Sequence, residues 1–116
     1  MKIADLVQII DGKFVCYSSE EDKNRDITHG FASDLMSDVL TLNKDNIVLI
    51  TGLANIQTIR TAEMADISCI VFARNKKVST EMIEMAKANG TVIIGCNSTV
   101  FNISGKLYKA GLEAIY

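Results

Sequence analysis

Three short stretches of this sequence place hydroxyls, cations and glycine directly after apolar runs. They are Thr51-Gly52-Leu53-Ala54-Asn55, Ala73-Arg74-Asn75-Lys76-Lys77-Val78-Ser79 and Gly95-Cys96-Asn97-Ser98-Thr99. Each apolar run reads as a strand, and each stretch leads into a helical pattern. A helix N-terminus carries unpaired N–H groups and the positive end of the macrodipole, so such loops attract anions. In a parallel sheet the three loops meet at one edge, where ligands bind in open α/β folds. Thr51, Gly52, Arg74, Lys76, Ser98 and Thr99 are then the candidate binding residues for a phosphate or carboxylate, with Arg74 or Lys76 closing the site. Taken singly, each has a simpler duty: Ser79, Ser98 and Thr99 as helix caps, and Arg74, Lys76 and Lys77 as solvated loop cations. No Gly-Lys-Ser/Thr follows Gly52, so the phosphate-loop signature of nucleotide hydrolases is missing.

Other chemistry finds little support. His29 is the only histidine. A general base needs a nucleophile and an orienting acid, and although Asp26 and Asp34 are near in sequence, no Ser or Cys context completes a triad. Asp34 and Asp38 are four apart, which on one helix face could hold a cation but more simply marks a solvated helix edge. Cys16, Cys69 and Cys96 are widely spaced in apolar surroundings, which reads as reduced thiols in a cytoplasmic protein. Cys96 falls near a helix start, a place that can lower a thiol pKa, yet an inert buried thiol is the better reading. There is no CxxC pair. No catalytic residue, metal site or cofactor is assigned.

The elements that would position these residues follow from periodicity. Ile3, Leu6, Val7 and Ile10 fall at helical spacing, and Asp11-Gly12 ends that helix. Lys13 to Tyr17 alternates as a strand, and Ser18 to Asp26 is a charged, mobile surface loop. Ile27 to Ala32 is a short strand or extended turn. Ser33 reads as the N-cap of a helix carrying Leu35, Met36, Val39 and Leu40. Three apolar runs, Ile47–Ile50, Ile67–Phe72 and Val92–Ile94, the first continuous, fit strands covered on both faces. Helical patterns from Asn55 to Met64, Thr80 to Asn89 and Thr99 to Gly111 separate and follow them. This rhythm predicts one α/β domain over residues 1–116: three layers, α/β/α, with a mostly parallel or mixed sheet of about five strands.

Composition sets outer limits. The chain has 116 residues, 48% hydrophobic and 22% charged, with net charge −2. That is the balance of a folded domain. It lacks the cationic excess of a nucleic-acid binder. No apolar run approaches the ~20 residues of a membrane span, and no leader-like segment is seen. Phe31, Phe101, Tyr108 and Tyr116 exceed what one small core needs. Gly105 inside a helix costs about 1 kcal/mol against Ala, so a close neighbour is expected there. Self-association as a homodimer is the expectation.

Asp26-Ile27-Thr28-His29-Gly30 and the following Phe31 to Leu40 resemble the DRTGG-domain family. Asp26, Thr28 and Gly30 match the motif; Ile27 replaces its Arg and His29 its first Gly. Thr51-Gly52-Leu53-Ala54-Asn55, Arg60-Thr61-Ala62-Glu63-Met64 and Gly105-Lys106-Leu107-Tyr108 also look like the family. The resemblance implies a three-layer domain similar to the N-terminal domain of HPr kinase/phosphorylase. DRTGG domains also stand beside CBS domains in regulatory pyrophosphatases and within some phosphotransacetylases, where they are accessory and often lie at a dimer interface. It implies no active-site residues. Losing the motif Arg weakens any anion site built on that side chain. The expected role is a non-catalytic regulatory or assembly module that binds a small anion or nucleotide or docks on a partner enzyme. The alternatives are a small phosphoryl- or acyl-transfer enzyme using the strand-end face, and a ligand-free structural adaptor.

Overall fold

The computed structural model describes residues 1–116. Six strands and five helices make up the chain, alternating from β2 onward. They are α1 (Ile3–Ile9), β1 (Lys13–Cys16), β2 (His29–Ala32), α2 (Met36–Val39), β3 (Ile47–Thr51), α3 (Ile56–Met64), β4 (Cys69–Phe72), α4 (Thr80–Asn89), β5 (Val92–Gly95), α5 (Val100–Lys109) and β6 (Glu113–Ala114). One mixed sheet contains all six strands in the order β1-β5-β4-β3-β2-β6. Every neighbouring pair is parallel except β1 with β5.

The period-two alternation of β3 explains the layers. Ile47 and Leu49 point into one core with Ile59 and Ala62 of α3 and Met82 and Ala86 of α4. Val48 and Ile50 point into the other, with Ile3 and Leu6 of α1 and Ile103 and Leu107 of α5. The three central strands are thus covered on both faces, which is why their sequences are continuous apolar runs. The α/β/α architecture is as expected, with one more strand than the five counted from sequence. The extra strand is β6, two exposed residues paired with His29 and Gly30.

Local details depart from the sequence reading in four places. The Ser18–Asp26 segment is not a loose loop. Residues Glu20–Asn24 form a 3-10 turn around Asp22, which is 5% exposed, accepts the N–H of Ser18 at 2.9 Å and pairs with Arg25 at 3.0 Å. Burying one carboxylate with its donors ties the segment down. Ser33 does not cap a long helix. Its Oγ accepts the N–H of Leu35 at 3.0 Å, and α2 is a single turn that starts at Met36. Asp34 therefore lies before α2 and shares no helix face with Asp38. Gly105 has no close neighbour: a Cβ added there would meet nothing within 4 Å. The reason expected for that glycine within the chain does not exist. Phe31 is half-buried rather than exposed, packed on the core and edge-on to Tyr116.

Candidate functional site

Because β3, β4 and β5 are parallel neighbours, their carboxyl ends share one edge of the sheet. Backbone bonds join the three loops there. The N–H of Ala73 donates to the carbonyl of Thr51 at 2.9 Å, that of Arg74 to Ser98 at 2.8 Å, and that of Asn75 to Cys96 at 2.8 Å. Arg74 and Asn75 hold left-handed φ values of 60° and 54°. Such angles are uncommon outside glycine. The two bonds to the β5 loop hold that turn in place.

The six candidate residues play different parts at this edge. Thr51 is fully buried, and its hydroxyl donates to the carboxylate of Asp34 at 2.7 Å. The N–H of Gly52 donates to the same Asp34 oxygen at 2.9 Å. The Thr51 hydroxyl also accepts the N–H of Leu53 at 3.1 Å. A carboxylate of the chain itself thus occupies the donors of the β3 loop. These bonds, the Thr51 hydroxyl foremost and then the Gly52 N–H, hold the Asp34 carboxyl below its ordinary range, and the charge of Lys76 lowers it further. Thr99 caps α5 by accepting the N–H of Asn102 at 3.2 Å, and Ser79 caps α4 through Met82 at 3.2 Å. Ser98 is half-buried beside Arg74. Arg74, Lys76 and Lys77 are exposed, and no carboxylate lies within ion-pair distance of any of them.

Beyond β4 the chain passes to α4 on one face, and beyond β5 to α5 on the other. The β4 and β5 ends are thus where the connections diverge, the usual crevice of an open α/β sheet. Sequence reasoning missed what adjoins it. A cleft of about 420 Å³ lies between the β4–α4 loop and the start of β1, reaching Lys76, Asn75, Lys13 and Asn97. Of the six candidate binding residues only Lys76 lines it, although Asn75 and Asn97 lie in the same strand-end loops. No local signal could have placed Lys13 there, because it arrives through the antiparallel pairing of β1 with β5.

The motif residues lie at the other end of the molecule. The Asp26 carboxylate accepts from the amino group of Met1 at 2.9 Å. Ile27 is 1% exposed within the α1/α5 core, an apolar position that an isoleucine fills and a charged arginine would not. The Thr28 hydroxyl lies 2.8 Å from Nδ1 of His29, whose Nε2 is 3.7 Å from the carboxylate of Glu113. His29 makes no contact with Asp26 or Asp34 that would form a catalytic set. Gly30 is closely packed, since a Cβ there would come 3.0 Å from the end of the Leu112 side chain. A second concavity, an apolar groove of about 310 Å³, runs between α5 and β2–β6 past Phe101, Gly105, Tyr108 and Leu112. Cys16, Cys69 and Cys96 are all buried. The Cys96 thiol donates to the carbonyl of Ile10 at 3.2 Å. No group of three or more His, Cys, Asp or Glu side chains converges at metal-binding distance. No helix is long and apolar enough to cross a membrane.

No family model and no curated protein matches the chain by sequence. Among solved structures, the fold is similar to one described as the CBS and DRTGG domains of the regulatory region of Clostridium perfringens pyrophosphatase, complexed with activator, diadenosine tetraphosphate. The TM-score is 0.73 over 91% of this chain, at 13% sequence identity. This chain spans 45% of that one, so the likeness is to part of that regulatory region. At this identity the comparison establishes the fold, and the fold is DRTGG-like.

Proposed function

We propose that this domain is a regulatory or assembly module that works by binding a small anion or nucleotide at the carboxyl edge of its sheet. One observation carries the reading: Arg74, Lys76 and Lys77 stand exposed and unpaired where three parallel strands end. Such cations, held on loops joined backbone to backbone, suit a phosphate or carboxylate. Arg74, Lys76 and Ser98 are the groups free to meet it. Thr51 and Gly52 join only where a ligand displaces Asp34, and Thr99 contributes the start of α5. The solved structure with the similar fold was described with a nucleotide activator, which supports a regulatory, nucleotide-linked role here. Homodimerisation through the α5 face, or docking of that face on a partner enzyme, completes the reading. Three buried free thiols agree with a cytoplasmic setting.

The test is thermal unfolding with phosphate, AMP, ATP and acetyl phosphate. A ligand that binds only the native state adds about 2.7 kcal/mol at 100 times its Kd. The double variant Arg74→Ala/Lys76→Ala removes most of that shift. An unmoved midpoint with all four at millimolar concentration eliminates the ligand reading.

A further inference from the structure

The geometry points to a specific ligand class and seat, resting on the ligand-binding reading above: the cleft beside β1 takes a nucleoside monophosphate. Its size is the first argument. At about 420 Å³ it falls within the ~300–1,000 Å³ typical of small-molecule sites and is far larger than a free phosphate requires.

Its lining divides into the three parts such a ligand needs. Lys13 and Lys76 supply two ammonium groups for the phosphate; both are exposed, and no carboxylate lies within ion-pair distance of either, Asp34 reaching Lys76 only through its longer-range charge. Val15 and Val78 supply methyl groups for the flat face of a base, and Asn75 and Asn97 supply carboxamides. A carboxamide both donates and accepts, so it can read the edge of a base, which also does both. The carboxylate of Asp11 is the acceptor for ribose hydroxyls, the part that acidic residues play in dinucleotide sites.

The backbone holds this lining from three directions. Lys13 pairs directly with Gly95 across the β1–β5 ladder. Gly95 leaves the floor open, since a Cβ there would already lie 3.3 Å from the methyl of Val15. Asp11 and Asn75 each sit at left-handed φ, 56° and 54°, which turns their loops beside that floor. Asn75 is fixed by its N–H bond to Cys96, and Asp11 by its N–H bond to Gln8 at 3.2 Å.

The experiment titrates the isotopically labelled full chain with AMP, and separately with inorganic phosphate, following amide resonances. AMP is expected to move Asn75, Gly95 and Asn97 saturably, with phosphate at least tenfold weaker at the same residues. Gly95→Val, which fills the floor, and Lys13→Ala, a surface change, should each weaken AMP at least tenfold. AMP shifts confined to Thr51, Gly52 and Ser98 would overturn this seat while leaving the strand-edge reading standing. Equal binding of phosphate and AMP would overturn the nucleoside part. No response to either ligand would overturn both.

Discussion

The carboxylate of Asp34 accepts the hydroxyl of Thr51 at 2.7 Å, joining the segment after β2 to the end of β3. The same oxygen accepts the N–H of Gly52, so one acid satisfies two donors at a strand end. An anion built into the chain thus lies where an external one was expected. The bonds favour the ionised form, which is why the native pKa falls below that of the unfolded chain.

The sign of the pH effect follows. A carboxyl whose native pKa is depressed contributes stability that is present above its unfolded pKa, about 3.9, and is lost as pH falls through the native value. Asp34→Asn should cost about 0.5–1 kcal/mol at pH 7, a small figure because Asp34 is exposed and screened. Urea unfolding of both proteins at pH 7, 5 and 3 should show the gap persisting at pH 5 and closing toward pH 3. A gap independent of pH would mean that the charge of Asp34 plays no part.

At the opposite end, a Cβ added to Gly30 would come 3.0 Å from the end of the Leu112 side chain. Gly30→Ala should cost about 1 kcal/mol, because the Leu112 side chain must shift to admit the new carbon. Since β6 pairs only at His29 and Gly30, amide exchange at Glu113 and Ala114 should accelerate more than in β4. Unchanged exchange at β6 would show that this short strand is not held by Leu112.

Burial disfavours the thiolate at two of the three cysteines. Desolvation raises the Cys16 thiol above its ordinary value and pushes Cys69 up to about 12. A thiol-specific reagent at pH 8 should find no reactive Cys69 in the native protein, and all three thiols after unfolding. Rapid native labelling of Cys69 would require local opening of β4.

The parts of this fold that could be read from sequence are those with local causes. Ile47–Ile50 and Val92–Ile94 are short apolar runs because both faces of their strands are covered, and that condition is written in consecutive residues. Ser79 and Thr99 cap the helices they precede, as their residue types suggest. Long-range pairings have no such record. Asp34 meets Thr51 across 17 residues, and Lys13 meets Gly95 through an edge strand. A two-residue strand such as β6 has too few positions to show any period. The strand-end edge was therefore legible as a place, whereas the internal carboxylate and the cleft beside β1 depended on topology.

The exposed face of α5 yields the last prediction. Phe101 is 88% exposed and Tyr108 71% exposed, on either side of Gly105 along one side of the helix. The spacing of four and three residues aligns them on one stripe. With no side chain at Gly105, the stripe dips at its middle, and the apolar groove opens beside it. If two copies pack α5 against α5, that dip lets the helices approach, and the aromatic rings of each cover the other's groove. Light scattering over a concentration series should then show a dimer with concentration-dependent stability. Gly105→Leu fills the dip and should weaken association at least tenfold. It should leave the monomer fold intact, because the added side chain points into open space. Phe101→Glu should do the same by placing a charge in the seam. A native protein that stays monomeric at high micromolar concentration would remove the homodimer and leave α5 as a face for a different partner.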